Sequence, residues 1–335
     1  MEINFNLRPP EEKDIEKIVD LANDWGEAHF GKRPVTVDDI QRRWSSPGFD
    51  IATSGRIAET EEGKLIGKVI LWDHRNPPVA PWLELQVHPE YEESNVGQEM
   101  LAWAEKTAHR CFDRVPADAR VALVSGAYHS HLAAKDLFEN NDFTCTRRFW
   151  EMKIDLDQPP QEPNWPDGFD LLVYDSEEEL ITNLEKIVMA IDDSFQDHFG
   201  HVSRPIEQAV AEWKHRITSD KKRFDTKLWF LAMAGDQIAA ICLCMKEDFE
   251  DPNHGHVNIL GVCPPYRRRG LGLALLLHAF QEYKRRGKTA VTLGVDASSI
   301  TNATELYKKA GMYVDRQFDD YEKELRPGVD IVRRE

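Results

Sequence analysis

Apolar and polar positions alternate along the second half of the chain in segments that change between strand-like and helix-like periods. Short apolar runs bounded by turn residues predict strands, whereas apolar residues three and four apart predict amphipathic helices. On this basis we predict helices at 184–191, 205–217, 271–286 and 303–310, and strands at 228–233, 237–245, 256–262, 290–295 and 312–318. Strands that alternate with helices are typical of an α/β protein.

A proline-rich segment separates two halves of similar length. Residues 157–167 contain four prolines in eleven residues. Proline fixes φ and removes a backbone donor, so this segment is predicted to be an extended linker. The 335 residues then divide into a domain at 1–156 and a domain at 168–335, each of ordinary domain size.

The two halves also repeat one another at three places, in the same order. The repeated pairs are His29-Phe30-Gly31 and His198-Phe199-Gly200, Val87-His88-Pro89 with Gly97 and Val262-Cys263-Pro264 with Gly272, and Leu137-Phe138 and Leu306-Tyr307. A repeat of this length is too long for a solenoid and indicates two similar globular domains.

Charge and hydropathy exclude several classes of function. The chain has 42 Lys and Arg against 59 Asp and Glu, a formal net charge of −17. This excess of negative charge opposes general binding to nucleic acid, whose phosphates carry the same sign. The longest clearly apolar run, at 238–245, is far shorter than the roughly 20 residues that a bilayer requires. We therefore predict no nucleic-acid partner and no membrane partner.

The five cysteines indicate reduced thiols in a cytoplasmic protein. Their number is odd and they are scattered along the chain, which does not suit a disulfide framework. Cys242 and Cys244 lack a second Cys or His pair at zinc spacing, so we predict no metal site.

The strongest chemical signal is the segment that joins the strand ending at Val262 to the next helix. Arg267, Arg268 and Arg269 are followed by Gly270, Leu271 and Gly272. Glycines at the start of a helix let backbone N–H groups point inward, and the helix dipole adds positive charge, so the segment is predicted to bind an anion. It lacks the Gly-Lys-Ser/Thr ending of a P-loop and has too few glycines for a dinucleotide fingerprint.

The pattern Arg267-x-x-Gly270-x-Gly272 resembles motif A of the GNAT acetyltransferase superfamily. The resemblance implies that this segment holds the pyrophosphate of acetyl-coenzyme A. The implied cofactor-binding residues are Val262, Arg267, Arg268, Arg269, Gly270, Leu271, Gly272 and Asn302. It also implies an α/β (α+β) fold of two tandem GNAT-like domains, each a mixed, largely antiparallel central sheet flanked by helices. This layout is similar to that of the mycothiol synthases.

The resemblance implies further roles downstream. Tyr307 would protonate the departing thiolate, and Asn302 would face the cofactor, although a helix N-cap at Thr301 or Asn302 explains that asparagine as well. His256 on the cofactor-side strand is our candidate for the general base. His198 and His201 are alternatives that would line the acceptor pocket, and the recurrence of His198 as His29 favours a structural role for it.

The first half departs from this pattern. Glu92, Glu93 and Ser94 stand where the second half has its three arginines, and Asn95 stands in place of Gly270. Carboxylates repel a phosphate, and Phe138, in place of Tyr307, has no proton to give. We therefore predict that the domain at 1–156 is a degenerate copy that has lost cofactor binding.

These observations favour an acetyl-CoA-dependent N-acetyltransferase acting on a small-molecule amine, as a monomer or homodimer, with the catalytic residues in the second half. A non-catalytic coenzyme A-binding sensor or partner protein is the main alternative. A third possibility, activity in both domains, is opposed by Glu92, Asn95 and Phe138.

Overall fold

The computed structural model describes residues 2–197, 201, 204–298 and 303–331. It divides into two compact units. The first unit consists of Met1–Arg148 and Gln317–Val332, and the second unit is formed mainly by Phe149–Arg316. Within the described ranges, no helix is both long enough and apolar enough to cross a membrane.

Helices and strands alternate along the chain, as the sequence predicts. The strands are β1 Asn6–Arg8, β2 Gly55–Glu59, β3 Leu65–Trp72, β4 Trp82–Val87, β5 Val121–Tyr128, β6 Thr144–Asp155, β7 Asp170–Leu172, β8 Trp229–Ala234, β9 Gln237–Met245, β10 His254–Val262, β11 Ala290–Asp296 and β12 Tyr313–Arg326. The helices are α1 Ile15–Phe30, α2 Val37–Trp44, α3 Ile51–Ser54, α4 Val96–Ala108, α5 Leu132–Glu139, α6 Glu177–Thr182, α7 Leu184–Phe195, α8 Ile206–Ser219, α9 Leu271–Arg285 and α10 Ala303–Lys309.

Each unit contains a mixed, largely antiparallel sheet flanked by helices. In the first unit the strand order is β1-β2-β3-β4-β5-β12, and in the second it is β6-β11-β10-β9-β8-β7. Only one neighbouring pair is parallel in each of these described sheets, β4 with β5 and β10 with β11. The predicted fold class is therefore confirmed.

The repeat in the sequence corresponds to a repeated packing contact. In each unit, a glycine in the first turn of a helix makes room for a leucine from the next helix and a valine from the end of the preceding strand. A Cβ added at Gly97 would lie 2.9 Å from Leu137 Cδ2 and 3.6 Å from Val87 Cγ2, and one at Gly272 would lie 3.2 Å from Leu306 Cδ1 and 3.5 Å from Val262 Cγ2. Close approach of helix and strand thus explains both glycines.

The compact units differ from the expected domains, 1–156 and 168–335, in two strands. Phe149–Asp155 of β6 pairs with β11 in the second unit, although it precedes the linker. Phe318–Arg326 of β12 pairs with β5 in the first unit, although it follows the last helix of the second half. The strand expected at 312–318 is accordingly longer and ends at Arg326. An alternating pattern predicts a strand but does not specify its partner.

The predicted elements of the second half are otherwise close to those observed, and one short strand, β7, was missed. The core of the second unit lies between α9 and the sheet. Leu275, Leu276 and Phe280 of α9 are fully buried and pack with Val291 and Leu293 of β11. This packing fixes the start of α9 against the end of β10, where the candidate site lies.

Candidate active site

The segment Arg267–Gly272, the glycine loop, has the backbone of an anion-binding turn. It follows a short 3₁₀ turn at Pro264–Tyr266, and both Arg268 (φ 63°) and Gly270 (φ 89°) adopt left-handed conformations. A Cβ at Gly270 would meet no atom within 4 Å, so the space before the helix is open. The first intrahelical bond is donated by Ala274 N–H to Gly270 C=O at 3.0 Å, which leaves the preceding N–H groups of α9 for a ligand.

The three arginines have different surroundings. The Arg267 guanidinium is bound to protein groups: Nη2 lies 3.0 Å from Asp197 Oδ1 and 3.1 Å from the Ser194 carbonyl oxygen. Its hydrogen bond to Asp197 raises the pKa of Arg267. Arg268 and Arg269 are exposed, and Arg269 lies near the rings of Phe169 and Tyr266. The side chains that could add positive charge to a bound phosphate are therefore those of Arg268 and Arg269.

The two parallel strands of the second unit separate beside this loop. Their register pairs His254 with Ala290 and ends with the pair His256 and Thr292. Beyond it, β10 continues to Val262 against β9, while β11 continues to Asp296 against β6. We call the resulting gap the strand opening. Val262 is the last residue of β10 and lies at the end of the strand opening that is next to the glycine loop. Its carbonyl oxygen accepts a hydrogen bond from Arg267 Nε at 3.1 Å.

Two residues of the strand opening were missed by the sequence analysis. The register of β10 against β9 shifts between Val257 and Ile259, so Asn258 is a bulge residue, and it is exposed. A bulge bends its strand and increases the local twist, which accounts for the separation from β11. Gly294 of β11 is also exposed, and a Cβ there would meet nothing within 4 Å. A glycine in the interior of a strand often marks a place where a ligand or another backbone approaches closely, so Gly294 could have been singled out from the sequence.

His256 lies at the closed end of the strand opening and is held by a hydrogen-bonded chain. Thr292 Oγ1 donates to Asp248 Oδ2 at 2.7 Å, so its oxygen accepts from His256 Nδ1–H at 2.8 Å. This network assigns the proton to Nδ1 and leaves Nε2 with its lone pair. Burial would raise the pKa of Asp248, but hydrogen bonding with His256 and Thr292 lowers it well below its ordinary value. The carboxylate therefore stays ionised and orients the imidazole.

Tyr283 of α9 fixes the backbone at this histidine. Its hydroxyl lies 2.6 Å from the Met245 carbonyl oxygen and 2.9 Å from that of His256. Its ring lies against Gly255, where a Cβ would come within 2.2 Å of Tyr283 Cε1. Glycine at this position is needed for the ring to approach the strand, and the ring in turn holds the segment that carries His256.

Tyr307 lies on α10, next to the leucine that packs on Gly272. Its ring is buried in the core cluster that also contains Cys242 and Leu271. Burial raises the pKa of Tyr307 well above its ordinary value, with a smaller contribution from Cys242. The phenol is therefore protonated at neutral pH, as a proton donor must be.

Three further residues were predicted for the site: Asn302, His198 and His201. Asn302 and His198 lie outside the residues that the structure describes. His201 is described, and its Nε2 lies 3.8 Å from Asp192 Oδ1. Of the predicted residues, Val262 and His256 thus lie on β10, the glycine loop precedes α9, and Tyr307 is buried in the core on α10.

The equivalent region of the first unit is closed by its own side chains. Ser94 Oγ accepts a hydrogen bond at 3.3 Å from the N–H of Val96, the first residue of the helix that matches α9. The parallel strands pair only at Trp82 and Val124 before they separate. The Phe318 ring then covers Gly126, whose added Cβ would lie 2.2 Å from Phe318 Cε1.

Comparison with known proteins agrees with this geometry. Residues 188–312, which include α9 and most of the strand opening, match the model of the acetyltransferase (GNAT) family. A GCN5-related N-acetyltransferase from Sphaerobacter thermophilus has a similar solved structure, with 29% identity, a TM-score of 0.78 and coverage of 97% of each chain. A tandem GNAT protein from the clavulanic acid biosynthesis pathway shares the fold at 14% identity, with a TM-score of 0.72 over 97% of this chain and 100% of that chain.

Curated relatives extend the similarity to both halves. A mycothiol acetyltransferase from Thermobispora bispora is 27% identical over 311 residues, which cover 89% of this chain and 92% of the relative. A mycothiol acetyltransferase from Renibacterium salmoninarum is 26% identical over 253 residues, covering 74% of this chain and 68% of the relative. The similarity therefore includes the two-unit layout as well as the segment with the glycine loop.

Proposed function

The chain belongs to the GNAT superfamily as an acyltransferase with two tandem domains, and from this premise we propose that its second unit transfers an acetyl group from acetyl-CoA to the amine of a small molecule. The first unit is a degenerate copy in this proposal. The observation that carries it is the strand opening beside the glycine loop, which is open at Gly294 and Gly270 in the second unit.

The residues of the second unit suit acetyl-CoA as a substrate. The N–H groups at the start of α9, together with Arg268 and Arg269, would hold its pyrophosphate. Val262 and the separated edge of β10 would bind the pantetheine arm through backbone groups. When bound, acetyl-CoA supplies the thioester whose acetyl group is transferred.

His256 and Tyr307 have complementary roles in this proposal. Amine acetylation requires a neutral nitrogen, and His256 Nε2, with its lone pair, would remove a proton from the ammonium form of the acceptor. The amine nitrogen then bonds to the acetyl carbon as the carbon–sulfur bond breaks, and the nitrogen releases one further proton to solvent water to form the amide. Tyr307, protonated at neutral pH, would donate its proton to the departing thiolate.

The names of the relatives suggest which acceptors to test first. Two of the proteins most similar to this chain are named mycothiol acetyltransferases. Their name makes the amine of a low-molecular-mass thiol precursor the first acceptor class, ahead of polyamines, aminoglycosides and protein N-termini. The five free cysteines suit the reducing cytoplasm, where we place the reaction.

Calorimetric titration of the full chain with acetyl-CoA, followed by an assay of amine-dependent thiol release, tests the proposal. We expect one site per chain and transfer to at least one amine of the acceptor panel. Two equivalent sites would contradict the assignment of the first unit as degenerate. Tight binding at one site with no transfer to any amine would favour the coenzyme A-binding sensor instead.

A further inference from the structure

Two histidines and a glutamate converge in the first unit, and none of the three was placed in the acetyl-transfer site. His29 Nε2 lies 2.8 Å from Glu92 Oε1, and His131 Nε2 lies 3.0 Å from the same oxygen. The two imidazole rings are 4.3 Å apart between centroids. One ligand atom from each of the three residues therefore lies within 4.8 Å of the other two.

Three separate segments bring these side chains together. His29 lies in the last turn of α1, Glu92 follows the 3₁₀ turn Pro89–Tyr91, and His131 directly precedes α5. The three side chains are mostly buried, with exposed fractions of 22%, 15% and 12% in the same order. The site is thus pre-formed and still reaches solvent.

Aromatic packing holds both imidazoles in place. The Trp25 ring lies 4.8 Å from that of His29 and 5.5 Å, edge to face, from that of His131.

We propose that His29, Glu92 and His131 form a binding site for a divalent transition-metal ion of the Zn²⁺ type. Two imidazole nitrogens and one carboxylate oxygen suit Zn²⁺, Co²⁺ or Ni²⁺, whereas Mg²⁺ and Ca²⁺ prefer oxygen ligands. Three protein ligands leave a fourth position of a tetrahedral site for water.

Two of the three separations between ligand atoms are close to those of a tetrahedral zinc site. Bonds of about 2.0–2.1 Å in a tetrahedral zinc site place neighbouring ligand atoms roughly 3.3 Å apart. The observed separations of Glu92 Oε1 from His29 Nε2 and His131 Nε2, 2.8 and 3.0 Å, would increase by a few tenths of an ångström. Both imidazoles would bind the ion through Nε2 and carry their proton on Nδ1. The ion would replace two hydrogen bonds to one oxygen and join three segments of the first unit.

The site was not predicted from the sequence because His29 and His131 are distant in the chain and have no metal-ligand spacing. Glu92 also occupies the position that matches Arg267. The first unit thus offers a carboxylate and two imidazoles to a cation where the second unit has a loop suited to an anion.

Metal analysis of the full chain, purified without a polyhistidine tag and stripped with a chelator, tests this proposal. Titration with Zn²⁺ is expected to give one equivalent bound with a micromolar or lower Kd, and a higher Tm in proportion to ln(1 + [Zn²⁺]/Kd). Co²⁺ should give visible absorption bands typical of four- or five-coordinate nitrogen and oxygen ligation.

Three variants and one control locate the ion. His29→Gln, His131→Gln and Glu92→Gln should each weaken Zn²⁺ binding at least about tenfold, the lower end of what loss of a supporting contact costs in metal sites. His109→Gln changes an exposed histidine of the same unit and should leave the stoichiometry and Kd unchanged.

Absence of Zn²⁺ and Co²⁺ binding at micromolar concentration would overturn the proposal, as would binding that the three variants leave intact. If a variant fails to fold, X-ray absorption at the zinc edge of the unmodified chain decides the question. Two imidazole ligands with one carboxylate support the site, and sulfur ligation contradicts it.

Discussion

The start of α9 in the second unit and the start of α4 in the first unit have the same fold but opposite chemical character. Before α9, the loop is open at Gly270 and the exposed side chains are arginines. Before α4, Asn95 Oδ1 accepts from Ile3 N–H at 2.9 Å, and Ser94 Oγ accepts from Val96 N–H at 3.3 Å. Described side chains therefore occupy the start of α4, whereas Gly270 leaves the space before α9 open.

The strand openings differ in the same way. His256 and Trp82 are the last paired residues of β10 and β4 beside their parallel neighbours. Val262 follows His256 by six residues in β10, whereas the matching Val87 follows Trp82 by five residues in β4. The additional residue of β10 is the bulged Asn258. In the first unit, Trp82 thus stands at the position that His256, the candidate base, has in the second unit.

This comparison separates residues that build the fold from residues that build the site. Gly97 and Gly272 both admit the close approach of a leucine, which an added Cβ would meet at 2.9 Å and 3.2 Å respectively. The residues at the loop and in the opening contact solvent or a ligand, so a copy that lost them still packs. A degenerate domain of this kind is recognised by a closed site within an intact core.

The largest expected effect follows Tyr307→Phe, which removes one hydroxyl and makes the second unit match Phe138 of the first. Loss of a general acid typically lowers turnover by about 10²- to 10⁴-fold, so kcat should fall in that range while Kd for acetyl-CoA changes little. Steady-state kinetics and calorimetry measure the two quantities. The reciprocal Phe138→Tyr should create no activity, and near-normal kcat for Tyr307→Phe with chemistry rate-limiting would remove the tyrosine from the mechanism.

A second test gives the glycine loop the charge of its counterpart. Gly270→Glu places a carboxylate next to the expected pyrophosphate, at a position whose positive φ strains any residue other than glycine. Because the two negative charges repel each other, acetyl-CoA binding should weaken at least about 100-fold. Gly235→Glu is the matched control, because Gly235 also has a positive φ and open space around it. Equal weakening by Gly235→Glu or by Asn95→Glu in the first unit would show that the effect does not arise at the loop.

A third test concerns the base. His256→Gln should lower kcat/KM about 100-fold, the lower end of the general acid–base range, with the smallest deficit at high pH, where the amine is already neutral. Asp248→Asn should cause a smaller loss, since the imidazole loses the carboxylate that orients it through Thr292. Unchanged kcat/KM in both variants would contradict a role for the chain from Asp248 through Thr292 to His256.

A smaller effect is expected when the strand opening is filled. Gly294→Phe imitates the ring that covers Gly126, and occupation of the opening should reduce kcat/KM about tenfold, as overpacking costs of 1–3 kcal/mol suggest. Val314→Phe at another exposed strand position of the same unit is the control. Normal kinetics for Gly294→Phe with an unchanged Tm would place the substrates elsewhere.

The smallest expected effect on binding concerns Arg267. Because its guanidinium pairs with Asp197, Arg267→Met should destabilise the fold by about 1 kcal/mol, as for a partly exposed hydrogen-bonded pair, and change the Kd for acetyl-CoA less than about threefold. Arg268→Met and Arg269→Met should weaken binding more and leave Tm unchanged. Denaturation and calorimetry distinguish the two patterns, and a reversed order would return Arg267 to the pyrophosphate site.

Much of the fold and of the loop was predictable from the sequence because those features are local. The glycines, the apolar face of α9 and the strand before it follow from periodicity and turn residues within about twenty positions of one another. The repeat added the second domain, and it predicted that the first is degenerate because each residue of the loop could be compared with its counterpart.

Other features were decided only by the tertiary structure. The partners of β6 and β12, the pairing of Arg267 with Asp197, and the meeting of His29, Glu92 and His131 all join residues that are distant in sequence. An alternating pattern or a single charged residue fits many partners equally well, and only the packed chain selects one. The sequence therefore determined which elements and which loop chemistry this protein has, whereas long-range packing determined which side chains remain free to act.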